Sequence, residues 1–211
     1  MEAEKKLGNK VGRIFQHNLL EKMTRTHTAV PVVLYLIIAY SFIAHASRAY
    51  TISTFSSSLL VFLGFTGFTL AEYVFHRFLF HFEAVTEIEK KIQYIIHGIH
   101  HHDPKDRKRL AMPLPASISL AGIYFMLFYQ IMEKNAMYFF PGFITGYAVY
   151  LSVHHAVHAF RPPKNPLRYW WKHHHIHHYG QNDRAFGVSS PLWDYVFRTM
   201  PRKKDRSTGK N

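Results

Sequence analysis

Residues 58–81 read SLLVFLGFTGFTLAEYVFHRFLFH, an apolar run carrying one acid, Glu72, that ends in His76 and His81. Its apolar part, 58–75, has 18 residues, at the short end of what a hydrocarbon core of about 30 Å requires of a helix. Histidines at its end, rather than inside it, place nitrogen ligands at a membrane surface. Three more runs are nearly uncharged and equally long: 29–46, 116–132 and 136–153. The first starts too late and lacks the small-residue cleavage site of a secretory signal.

The histidines repeat the pattern. Ten of the seventeen fall into four clusters at or beyond the ends of apolar runs: His76 with His81; His97, His100 and His101; His154 with His158; His174, His177 and His178. His154 and His158 are four apart and share one helical face. The two HxxHH triplets present three imidazoles within about one turn. His76 and His81, five apart, diverge by about 140° on an ideal α-helix, so the helix must end or distort near Phe80, or His81 must reach in from a loop. Four to six ligands saturate one ion, so ten imply a pair of metal ions.

Composition narrows the chemistry. The chain has no cysteine, which excludes disulfides, iron–sulfur clusters and thiolate zinc sites and leaves N and O ligands. Its net charge of +13 comes from 26 Lys+Arg against 13 Asp+Glu. These cations lie beside the apolar runs, which points to an anionic membrane surface and not to nucleic acid. Residues 1–28 hold six Lys or Arg, the 76–115 loop seven and the stretch after 153 eleven, whereas the two other turns hold only Arg48 and Lys134. The positive-inside rule therefore puts both termini and the long loop in the cytoplasm. All four histidine clusters then meet on that face.

The remaining segments read as accessories. Residues 11–23 carry Val11, Ile14, Phe15, Leu19 and Met23 on one stripe, the pattern of an amphipathic helix on the membrane surface or against a cap. Tyr169, Trp170 and Trp171 suit an aromatic belt. Pro162, Pro163 and Pro166 break the chain after the fourth run, and Pro113 and Pro115 precede the third. The expected organisation is an all-α integral membrane protein. It comprises an N-terminal amphipathic segment (1–28), a domain of four transmembrane helices with the histidine clusters on its cytosolic face (29–201), and a disordered basic tail (202–211).

Histidines outside the pattern are assigned bland roles. His45 is read as a core residue of an apolar helix, and His17 and His27 as surface or interface groups. His102, His155, His173 and His175 are read as supporting or solvent-facing. All-imidazole sites suit Zn, Fe or Cu. A zinc hydrolase needs only three protein ligands and a carboxylate base, whereas ten histidines around two ions at a membrane fit non-haem iron and O2, because iron supplies electrons and zinc does not.

With those residues in view, the chain resembles the fatty acid hydroxylase superfamily, and most nearly its fatty acid 2-hydroxylases. The matching text is EYVFHRFLFH at 72–81, HGIHHHDPKD at 97–106, Arg109-Leu110, HHAVH at 154–158, HHIHH at 174–178 and FGVSSPLWDY at 186–195, within residues 55–200. Four residues separate the first two histidines, where sterol desaturases and sterol methyl oxidases usually have three. The family's Pro-Pro after Arg-Leu is here Pro113-Leu114-Pro115. The resemblance implies O2-dependent hydroxylation at C2 of a long fatty acyl chain, free or as the N-acyl chain of a sphingolipid such as ceramide. It also implies that the four membrane helices lie under a cytosolic helical cap holding the dimetal site, with the ten patterned histidines as ligands of two metal ions, iron for activity and zinc possible as isolated. No cytochrome b5 domain precedes the first run, so electrons from NAD(P)H are expected through a separate reductase and a cytochrome b5 or ferredoxin-type carrier. Asp194 first, then Glu72, Asp103 and Asp106, are expected to orient histidine N–H groups. The expected location is a bacterial inner membrane or the endoplasmic reticulum membrane. The rival readings are a sterol desaturase- or carotenoid hydroxylase-like lipid oxidase, a membrane metal transporter, whose ligands would lie at mid-membrane, and a bis-histidine haem protein.

Overall fold

The computed structural model describes residues 14–202, and every regular element among them is helical. In chain order these are α1 (Asn18–Met23), α2 (Ala29–Ala49), α3 (Thr54–Val74), α4 (Glu87–Gln93), α5 (Ile99–His102), α6 (Leu114–Met132), α7 (Ala136–Ala159), α8 (Arg168–Tyr179) and α9 (Leu192–Val196). Two π-helical turns, Phe75–Phe80 and Tyr94–Gly98, continue α3 and α4. Local signals mark the boundaries. Ser53 caps α3 by accepting from the Ser56 amide at 3.1 Å. Thr86 and Glu89 form a capping box on α4. Pro115 sits in the first turn of α6, where its missing N–H costs nothing, and Pro162-Pro163 follows the end of α7.

Among the described residues, three helical segments are long and apolar enough to cross a membrane: Ala29–Ala49, Thr54–Phe80 and the 46-residue Leu114–Ala159. The last is folded back on itself. A 3-10 turn at Glu133–Asn135, entered through Glu133 at φ 49°, separates α6 from α7. Ring pairs Phe128–Phe139 at 4.9 Å and Tyr124–Phe143 at 5.0 Å run in opposite sequence directions, so the two helices are antiparallel.

Helix α7 is the axis of the bundle and is apolar on nearly all sides, as a buried helix must be. Tyr35–Tyr147 and Phe42–Phe140 place α2 antiparallel to it, at centroid distances of 5.3 and 5.2 Å. Helix α3 runs parallel to α7 and approaches closest. A Cβ on Gly64 would stand 1.9 Å from the Phe139 carbonyl oxygen, and one on Gly142 would stand 2.0 Å from that of Val61. Each glycine thus admits the other helix's backbone. These directions bring the starts of α2 and α6 and the ends of α3 and α7 to one end of the bundle.

The other elements cover that end. Arg107 donates to the Ala159 carbonyl at 3.0 Å, and the Thr26 amide donates to Lys108 O at 2.8 Å. Glu21, buried, accepts the Ile14 and Phe15 amides at 2.8 and 3.0 Å and pairs with Arg109. Burial works to raise its carboxyl, but those amides and the Arg109 and Arg25 guanidiniums outweigh it and hold it below the usual carboxylate range.

Several expectations are corrected here. The stripe over 11–23 becomes helix only over Asn18–Met23. Residues 14–16 are drawn off the helical path to serve the Glu21 carboxylate, and 11–13 lie outside the described residues. Of the 202–211 tail, only Arg202 is described; its amide donates to Gln181 Oε1 at 2.8 Å. His45 is exposed on the outer side of α2 and not packed in the core. Trp170 and Trp171 donate their indole N–H groups to Ser189 O and Phe160 O, at 3.0 and 2.9 Å, and so tie α8 to its neighbouring loops.

The glycine crossing generates a paired test. Gly64→Ala or Gly142→Ala forces α3 and α7 apart and should cost about 1–3 kcal/mol, the usual range for overpacking. Gly122→Ala meets nothing within 4 Å and should be neutral or stabilising by up to about 1 kcal/mol through helix propensity. Thermal unfolding in detergent micelles reads both.

Candidate metal centre

The π turn at Phe75–Phe80 resolves the HxxxxH spacing. Its i→i+5 bonding widens the helix so that residues five apart stack instead of diverging, and His81 then leaves the helix at φ −112°, ψ 31°. The second π turn, Tyr94–Gly98, carries His97 and hands the chain to α5, which carries His100 and His101. His154 and His158 come from the last turns of α7, and His174, His177 and His178 from α8.

These ten imidazoles converge in two groups of five. His76, His81, His97, His101 and His177 form one; His100, His154, His158, His174 and His178 form the other. Within each group the candidate ligand atoms all lie within 4.8 Å of one another. In the first, Nε2 atoms lie 3.2 Å apart for His76–His97, 3.0 Å for His97–His101 and 3.0 Å for His81–His177. In the second, the spacings are 3.0 Å for His100–His154, 3.1 Å for His100–His178, 2.8 Å for His158–His174 and 3.0 Å for His174–His178. Two nitrogens about 2.1 Å from one ion are about 3.0 Å apart at a right angle and about 3.4 Å apart at the tetrahedral angle. The observed spacings are near the right-angle value, as five nitrogens around one ion require.

Backbone carbonyls set the ring orientations. His76 Nδ1 donates to Phe186 O at 2.5 Å, His177 Nδ1 to Arg184 O at 2.8 Å and His154 Nδ1 to Leu110 O at 3.3 Å. A carbonyl only accepts, so in these neutral rings Nδ1 carries the proton and Nε2 offers its lone pair. Burial keeps the rings neutral. It is the largest influence on His97, His100 and His174, and with neighbouring imidazoles it holds all three well below the usual histidine value. Burial likewise lowers His81 to about 4, and with the nearby His81 it lowers His101 to about 4 and His177 to about 3.

The carboxylates act one layer further out than expected. Asp194, fully buried, accepts from the Phe186 amide at 2.9 Å, the Gly187 amide at 2.8 Å, Thr199 Oγ1 at 2.7 Å and His173 Nε2 at 3.0 Å. It therefore orients His173, outside the ten, and fixes the loop whose Phe186 carbonyl holds His76. Glu72 accepts the Val188 and Ser189 amides at 2.5 and 2.9 Å and pairs with Ser189 Oγ; it binds that loop to α3 and touches no histidine among the described residues. Asp106 faces the Lys108 amide and Arg109, and Asp103 is exposed. At His76, His154 and His177 a backbone carbonyl already accepts from Nδ1, and a carbonyl has no residue-type signature in a sequence.

The other histidines separate cleanly. His102 is exposed, His27 and His17 lie at the surface, His155 meets Thr28 Oγ1 at 3.1 Å, and His175 lies edge-on to Tyr179. Sequence reasoning missed Tyr150, which stacks on His154 at 5.4 Å and 21°; an aromatic four residues before a patterned histidine was the available signal.

A cavity of about 600 Å³ lies against both groups, within the size range of small-molecule sites. His76 and His97 of the first group and His100 and His154 of the second form part of its wall; Phe68, Phe75, Leu120, Phe143 and Ile144 make it apolar.

Residues 60–199 match the family model described as fatty acid hydroxylase, well over half of the chain. The chain belongs to the fatty acid hydroxylase family. It is similar to the dihydroceramide fatty acyl 2-hydroxylase FAH2 of Arabidopsis thaliana, 32% identical over 191 residues, covering 90% of this chain and 80% of that protein. The fatty acid 2-hydroxylase of Rattus norvegicus is 34% identical over 215 residues, covering 92% of this chain and 58% of the rat protein, so the chain spans a little over half of that relative's length. Among solved structures, full-length scs7p, with only its hydroxylase domain visible, superposes with a TM-score of 0.81 at 31% identity, covering 88% of this chain and 70% of that one. The family resemblance read from the histidine motifs is therefore borne out.

Four variants test the layering of this hydroxylase-family centre. His154→Ala and His177→Ala should each release metal, whereas His45→Ala should not; elemental analysis distinguishes them. Asp194→Ala should weaken metal binding about 10–100-fold, the usual effect of losing a supporting partner, as read by chelator competition.

Proposed function

We propose that this chain is a membrane-bound dimetal monooxygenase that hydroxylates C2 of long-chain fatty acyl groups, with the N-acyl chain of a sphingolipid as its substrate class. The observation that carries the reading is the joint one: two five-histidine groups form part of the wall of a single apolar cavity. The names of the Arabidopsis and rat relatives point to the same carbon and to an acyl lipid.

The ten patterned histidines hold two metal ions in this reading. Iron is the working metal; zinc, which binds nitrogen ligands more tightly than Fe(II) in the usual affinity order, can replace it on isolation. Bound iron supplies the redox chemistry of O2 that no side chain here can supply. The chain's own residues do the rest. Carbonyl-anchored imidazoles keep their lone pairs aimed without reorganisation. Apolar walls at Phe75, Leu79 and Leu120 exclude water and guide the acyl chain, so that selectivity for one carbon comes from position.

In this reading the chain crosses the membrane four times, by α2, α3, α6 and α7, with both termini and the histidine-bearing end in the cytoplasm; the hairpin at Glu133–Asn135 and the distribution of Lys and Arg support it. Exposed Lys105, Arg107, Lys108, Lys164, Arg168 and Lys172 make that end basic, which suits an acidic electron carrier.

Expression in a host lacking 2-hydroxylated lipids, followed by mass spectrometry of the extract, should reveal acyl chains gaining one oxygen at C2. Loss of two hydrogens instead would mark a desaturase. Turnover should require an added reductase and carrier, and its carrier-limited rate should fall with rising salt, since the Debye length is about 8 Å at physiological ionic strength. Sustained hydroxylation by the purified chain with NAD(P)H and O2 alone would contradict this.

A further inference from the structure

Between His81 and His97 the chain makes an excursion that the metal centre does not use. It departs at Phe82 and returns at Gln93, whose side-chain amide donates to Phe82 O at 2.5 Å and closes the neck. The capping box at Thr86 and Glu89 fixes the start of α4. Along this arm Val85, Ile88, Ile92 and Ile96 recur at helical spacing on one side and are 79%, 73%, 45% and 42% exposed. Lys90 lies about 200° round the helix from Ile88 and pairs with Glu87 at 2.9 Å. The arm is amphipathic, and among the described residues its apolar side is largely uncovered at Val85 and Ile88 and half covered at Ile92 and Ile96.

What covers that side is indicated by where the stripe leads. Its last member, Ile96, lines the cavity together with Ile95, Leu79, Phe75 and Leu120. Phe78 and Leu79, exposed on the π turn that extends the α3 span, continue the apolar surface from the stripe onto the spanning helix. The exposed isoleucines and the exposed end of the α3 segment thus meet the apolar lining of one cavity, through Ile96 and Leu79.

We propose that the arm at residues 85–96 lies in the headgroup–acyl boundary of the membrane, with Val85, Ile88, Ile92 and Ile96 immersed in lipid and Glu87 and Lys90 in water. The arm thereby forms the lip of the cavity, and a lipid chain passes from the leaflet to the histidines without crossing water. This rests on the reading of α3 as a membrane span, not on the reaction assigned to the site.

The chain has no cysteine, so single ones can be introduced cleanly. Full-length Ile88→Cys, Ile92→Cys, Lys90→Cys and Leu63→Cys variants, each carrying an environment-sensitive fluorophore, are placed in phosphatidylcholine proteoliposomes. They are then challenged with spin-labelled lipid and, separately, with a water-soluble quencher. Leu63, exposed on α3, is the reference for a lipid-facing span. The expected result is that labels at 88 and 92 follow the label at 63, quenched several-fold more by lipid than the label at 90, which responds to the aqueous quencher. Lipid quenching at 63 but not at 88 and 92, whether these are open to water or shielded from both quenchers, would overturn the proposal alone. No lipid quenching at 63 would remove the spanning reading and the proposal with it.

Discussion

Ten imidazoles can face one another at about 3 Å only if their rings stay neutral and their lone pairs have something to share. Burial supplies the first condition, and it is the leading cause of the lowered basicity of His97, His100, His174 and His177. Metal ions held by the two groups would supply the second. The three carbonyl contacts at Phe186, Arg184 and Leu110 make the arrangement directional, because each fixes a proton on Nδ1 and leaves Nε2 pointing inward. Much of the covering structure serves those carbonyls. Asp194 and Glu72 hold the 186–189 loop, and Arg107 and Arg109 tie down the segment that ends in Leu110.

The two π turns show how sequence spacing and backbone geometry meet. A five-residue step between His76 and His81 is incompatible with a shared face on an α-helix, and a strand is excluded by the apolar run before it. The structure adjusts the helix instead, adding the extra residue per turn where the metal centre requires it. His97 sits on the second such turn, and the ring of Phe80 from the first stacks on it at 4.9 Å. The distortions are adjacent in space and form one wall of the first histidine group.

Much of this was legible in the chain. Clusters such as His154 with His158 carry strong spacing information, and the absence of cysteine left few chemistries to weigh. The all-helical class and the family followed from the same residues. What escaped was of two kinds. Backbone carbonyls leave no residue signature, so the roles of Phe186 and Leu110 could not be read, and carboxylates such as Glu72 were credited with their work. Long-range partners also override local pattern. The stripe at 11–23 reads as a helix until Glu21 captures the Ile14 and Phe15 amides and turns the chain across the cavity, which Ile14 and Phe15 help to line.

The glycine contact between α3 and α7 reaches further than its own stability. Gly64 precedes His76 by twelve residues, and Gly142 precedes His154 by twelve. With α3 and α7 parallel, the crossing acts as a fulcrum with two equal arms of about 18 Å, each tipped by a histidine of a different group. One degree of change in the crossing angle moves one tip against the other by about 0.3 Å at that length. The separation of the two histidine groups is thus gauged by a backbone contact that lies about 18 Å from both of them.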